Sequence, residues 1–103
     1  MILHIAQFTW KPEVTDEQVA ALTTALTEMA AQIPQIVSYR AAPNLRVRPS
    51  TTDFAVAAIV AGPDELAAYL DHPLHAAVYA DHLGAMVAER AAAQLPIDAG
   101  SFA

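Results

Sequence analysis

The chain has 103 residues, of which 55 % are hydrophobic, and it carries a net charge of -6 with no cysteine. That length allows one domain with a modest core, and the lack of cysteine excludes disulfides and thiolate chemistry. The acidic balance argues against nucleic acid as a partner, although Arg40, Arg46 and Arg48 lie close together.

Much of the apolar fraction is alanine, which buries little area per residue, so a second copy is the expected source of further burial. No apolar run reaches the length of a membrane span. The opening "MILHIAQFTWKPE" lacks a basic start and turns polar by Lys11, so a cytoplasmic chain without a signal peptide is expected.

"ILHIAQFTW" places Ile2, His4, Ala6 and Phe8 on one face and Leu3, Ile5, Gln7 and Thr9 on the other. Both sets are largely apolar, which predicts a strand covered on each side. Pro12 stops it. Thr15 stands three residues ahead of Gln18 as a capping box, and Val19, Leu22, Leu26, Met29 and Ile33 then recur at helical spacing up to Pro34.

"IVSYRAAPNLRVRP" is mostly extended with an interruption at Pro43–Asn44, and "RPSTTD" forms a loop or hairpin turn. "TTDFAVAAIVAG" alternates as a strand, with Phe54, Val56, Ala58 and Val60 on one face. "DELAAYLDH" starts a short helix that Pro73 breaks, because proline suits the first position of a new helix and not the interior of a continuing one. The new helix is expected to run from Pro73 to about Gln94, with a last strand around Ile97 and Asp98 or beyond. The order βαββαβ predicts an α+β, ferredoxin-like subunit spanning 1–103 as a single domain. Such a sheet has helices on one face only, and a homodimer through the other face is the natural cover.

Several stretches together resemble the stress-responsive A/B barrel (Dabb) family: "IAQFTWK" after an early histidine, "IP" closing the first helix, "DFAVAAIV", and "LAAYLDHPLHAAV". The resemblance covers nearly the whole chain. It implies a dimeric α+β barrel with a pocket between sheet and helices, and its members include plant stress proteins, a hydroxynitrile lyase and polyketide cyclases of the olivetolic acid type. In those cyclases a tyrosine and a histidine placed like Tyr69 and His75 act on the substrate, and a first-strand histidine placed like His4 lies nearby. A third-strand pocket histidine of the cyclases is matched here by Phe54, which makes the expected pocket more apolar.

The residues themselves leave two readings at each polar position. His75, in the first turn after Pro73, is suited to be a general base near neutral pH or else a capping or packing histidine. Tyr69 either donates a hydrogen bond to a substrate carbonyl or is an amphipathic core residue. His4 faces a substrate or is structural. His72 sits at the helix junction, and His82 lies two helical turns from His75, about 10 Å away. "HPLH" has the look of a ligand pair, but the proline break and the lack of a joining carboxylate argue against a metal. Asp53 is expected to fix the loop after Arg48, pairing with an arginine.

The expected function is a cofactor-independent enzyme, a cyclase or lyase, acting next to a carbonyl in a small apolar ligand. His75 and Tyr69 are its candidate catalytic pair, and His4, Phe8, Leu22, Leu26, Phe54, Val56 and Val78 its substrate-binding residues. No cofactor, nucleic acid or membrane is implied. The competing expectations are a non-catalytic stress-response dimer that binds a small ligand, and a cofactor-free monooxygenase.

Overall fold

A computed structural model describes residues 1–99. Its strands are β1 (Ile2–Trp10), β2 (Ile36–Pro43), β3 (Phe54–Val60) and β4 (Val87–Pro96), and its helices are α1 (Asp16–Gln32), α2 (Pro63–Leu70) and α3 (Pro73–Val78). A π-helical segment, Tyr79–Leu83, and a last turn, Gly84–Met86, carry the chain from α3 to β4. The four strands form one antiparallel sheet in the order β2-β3-β1-β4, the ferredoxin-like arrangement.

The capping box forms at the head of α1. Thr15 Oγ1 accepts from the Gln18 amide at 3.2 Å, and Gln18 Oε1 accepts from the Thr15 amide at 2.8 Å, which satisfies two otherwise unpaired helix donors. The buried side of α1, Leu22, Leu26 and Met29, packs with Ile33 on Phe8, Phe54, Val56, Ala58 and Val60 of the sheet. All the helical cover lies on this face.

The other face carries no helix among the described residues, although Leu3 and Ile59 on it are buried. There the β2–β3 loop arches over a cleft of about 800 Å³ lined by Leu3, Ile5, Arg40, Leu45, Val47 and Arg48 among others. Leu45 is 89 % and Val47 75 % exposed at the loop's tip. Asp53 pins the base of the loop as the sequence suggested. Its carboxylate accepts from the Trp10 amide at 2.7 Å and pairs with Arg46, the residue whose φ of 53° turns the loop.

Two expectations fail. The helix does not continue to Gln94: it ends at Met86, and 87–96 form β4, paired with β1 from Ile2↔Pro96 to Trp10↔Val87. Nor does a strand form at Ile97 and Asp98, although the Ile97 amide still donates to the Met1 carbonyl at 3.0 Å. The continuation of that expected strand past 99 lies outside the described residues. Alanine, Glu89, Arg90 and Gln94 favour a helix by propensity, but β3 occupies only one edge of the nine-residue β1. A helix up to Gln94 would leave too little chain to pair the other edge, and buried backbone donors and acceptors must be paired. Tertiary demand overrides propensity here.

Asp53→Ala removes a charge-assisted hydrogen bond and an ion pair at once. Unfolding in urea should show a loss of about 1.5–3 kcal/mol, whereas Asp53→Asn should retain part of it through the Trp10 amide.

Candidate active site

Pro73 sets the geometry. Proline has no amide hydrogen and its ring clashes with the preceding turn, so α2 ends at Leu70 and α3 starts afresh at Pro73. His72 caps the new helix, its Nδ1 accepting from the Leu74 amide at 3.0 Å. The break lets Tyr69, from the last turn of α2, and His75, from the first turn of α3, meet edge to face with ring centroids 5.4 Å apart.

Beneath them runs one cross-strand row on the helix-covered face. Tyr39 of β2 pairs with Ala58 of β3, Ala58 with His4 of β1, and His4 with Gln94 of β4. Ala58 is small, and the Tyr69 ring meets its two larger neighbours edge-on, His4 at 6.1 Å and Tyr39 at 6.3 Å. Gln94 Nε2 donates to His4 Nδ1 at 3.0 Å, which places the imidazole proton on Nε2. Tyr69 and His4 are buried, at 2 % and 5 % exposure, and His75 is half-buried.

The electrostatics follow from burial. Desolvation lowers the pKa of His75, partly offset by the Asp71 carboxylate, and lowers that of His4, with His75 adding to the effect. Both imidazoles are therefore neutral at pH 7. Burial raises the Tyr69 phenol, with the Tyr39 hydroxyl acting the other way, and it raises Tyr39 further, the Tyr69 phenol adding to it. The site thus offers neutral phenols as donors and a neutral imidazole, with a carboxylate behind it, as proton acceptor.

The other expected residues separate into two groups. Phe8, Leu22, Leu26, Phe54 and Val56 are buried together in the core, and Val78 packs on them half-buried. His82 lies away from the cluster, in a groove of about 200 Å³ with Glu28, Gln32 and Asp81. Tyr79 stacks under Arg90, whose guanidinium carbon is 6.0 Å from the ring centre. Among the described residues no group of three or more His, Cys, Asp or Glu is gathered to hold a metal ion, and no helix is long and apolar enough to cross a membrane.

Sequence reading missed Tyr39 and Gln94. Gln94 was hidden by the helix expected there. Tyr39 was hidden by a register shift between Ile36 and Ser38, which carries Tyr39 rather than Ser38 opposite Ala58.

Because both imidazoles bind protons more weakly in the folded chain than an ordinary histidine does at 6.5, the unfolded chain takes up protons first on acidification. Their share of stability is complete above about pH 6.5 and is lost as the pH falls below it. Urea midpoints measured from about pH 7.5 down to pH 5 should fall, and His75→Gln should flatten that slope.

The comparisons agree with this architecture. The Stress responsive A/B Barrel Domain (Dabb) family matches residues 2–96. No curated protein matches the sequence. Among solved structures, a dimeric ferredoxin-like protein of unknown function from Thermobifida fusca is 40 % identical, with a TM-score of 0.85 over 93 % of this chain and 90 % of that one. A Dabb family protein from Mesorhizobium loti is 17 % identical, with a TM-score of 0.77 over 94 % and 97 % of the two chains. The hydroxynitrile lyase of Passiflora edulis shares the fold at 11 % identity and a TM-score of 0.80, over 94 % and 93 %. With nearly its whole length matched, the chain belongs to the Dabb stress-responsive A/B barrel family.

Proposed function

We propose that this chain is a cofactor-independent enzyme that removes a proton beside the carbonyl of a small molecule, as a polyketide cyclase or a lyase does, and that it acts as a homodimer. The observation that carries the reading is Tyr69, a buried phenol wedged edge-on between two neutral imidazoles. His75 takes the proton, and the electron pair left behind moves onto the carbonyl oxygen. Tyr69 donates to that developing oxyanion. The Asp71 carboxylate favours the imidazolium that forms, and His4, oriented by Gln94, contacts the substrate.

The fold is shared with a hydroxynitrile lyase, which is consistent with acid–base work in this scaffold but says nothing of this chain's substrate. Dimerisation is supported by the sheet face that no helix covers, with Leu45, Val47 and Leu95 exposed on or beside it, and by the 40 % identical protein being described as dimeric. Packing two such faces together closes the barrel.

One observation favours a second reading, a non-catalytic stress-response dimer that binds a small ligand. Leu22 and Phe54, expected to line the substrate pocket, are fully buried in the packed core. A screen of β-polyketide thioesters and lactones separates the two. The catalytic reading expects turnover that falls about 10²-fold or more in His75→Ala and in Tyr69→Phe; equal turnover in all three proteins removes the acid–base pair.

A further inference from the structure

Tyr39 lies on β2, an edge strand, and strict alternation from Ile36 would put Ser38 in the row opposite Ala58. The register shift at Val37 replaces that serine with a tyrosine, and bulges of this kind re-aim a side chain at the cost of local pairing. Val37 itself is turned out, 54 % exposed. What the shift delivers is a hydroxyl that is buried and has no hydrogen-bond partner. The Tyr69 hydroxyl is the neighbouring polar group that acts on it, but no hydrogen bond of normal geometry joins the two, and a buried polar group left so is costly. The hydroxyl belongs to a ring that meets Tyr69 edge-on, on the side away from His4.

The geometry points to Tyr39 as the second hydroxyl donor of the site: Tyr39 and Tyr69 together hold the oxygen of a neutral carbonyl substrate as it becomes an enolate. The inference rests on the acid–base reading above and deepens it by naming the donor pair and the substrate class. Oxyanion sites of this type work through donors held in place before the charge develops. Their neutrality also selects the ligand. Arg48 lines the cleft on the opposite sheet face, Arg46 pairs with Asp53, and Arg90 lies over Tyr79, while Arg40 borders both that cleft and the groove beside Tyr39; among the described residues no hydrogen bond or ion pair joins any of these cations to the cluster. A phosphate or a carboxylate would bring a full charge into a site holding only phenols and neutral imidazoles. A diffuse, singly charged enolate, formed only after the proton has passed to His75, matches it. A groove of about 320 Å³ between α1 and β2, lined by Thr27, Ala30, Ala31, Tyr39 and Arg40 among others, opens beside Tyr39, whose hydroxyl stays buried.

The proposal is tested with p-nitrophenol, whose phenolate is a conjugated oxyanion with its own visible absorption band. Binding is titrated in wild type, Tyr39→Phe and Tyr69→Phe, with urea unfolding of each. The expected result is that both substitutions weaken phenolate binding at least about tenfold, the loss of one charge-assisted hydrogen bond, while Tyr39→Phe leaves stability unchanged or higher because it deletes an unpaired buried group. Wild-type affinity in Tyr39→Phe with weakened binding in Tyr69→Phe overturns the role of Tyr39 and leaves the acid–base reading standing. Wild-type affinity in Tyr39→Phe together with a clear loss of stability identifies the hydroxyl as structural and also overturns it. No binding to the wild type, or binding that neither substitution alters, contradicts both the donor pair and the oxyanion site on which it rests.

Discussion

Proline at position 73 cannot continue the helix that Pro63 begins, and the site depends on that constraint. A straight helix through 63–78 would put Tyr69 and His75 six residues apart, more than a turn and a half along one axis, and turned away from a common point. The break, with His72 as cap, gives each residue its own helix end. Both then reach the same row of the sheet, where Ala58 leaves room between Tyr39 and His4 for the Tyr69 ring.

Burial then determines the chemistry. The four rings lie where the charged forms of phenol and imidazole are disfavoured, so the cluster rests neutral and acquires charge only as a proton moves. The Asp71 carboxylate sits behind the proposed base, where it favours the imidazolium. Such an arrangement suits a neutral substrate made acidic by its own carbonyl. It is poorly suited to binding a fixed charge.

Most of the fold could be read from residue patterns, because local signals and tertiary demand agreed. The alternation in β1 and β3, the Thr15–Gln18 box and the Pro73 break all formed where the sequence placed them. β4 did not, because "VAERAAAQLP" carries helical propensity and its strand conformation is imposed by the open edge of β1. A nine-residue strand with apolar side chains on both faces needs a full-length partner on each edge, and counting that requirement would have located β4. That error also concealed Gln94. Tyr39 was hidden by a cause no periodicity reveals: one extra residue in β2 moves it into the row. Tyr69, His75 and His4 were singled out in the sequence by motif and family resemblance, and the fold brings the His4 and His75 rings to either side of Tyr69.

The most direct test of that chemistry follows the proton itself. Incubated in D2O with a β-keto thioester, the protein is proposed to accelerate exchange of the hydrogens between the two carbonyls, observed by proton NMR, even where no later step completes. His75→Ala should return the exchange to the buffer rate. Exchange at the buffer rate with the wild type, or equally fast exchange with His75→Ala, would contradict proton abstraction by this site.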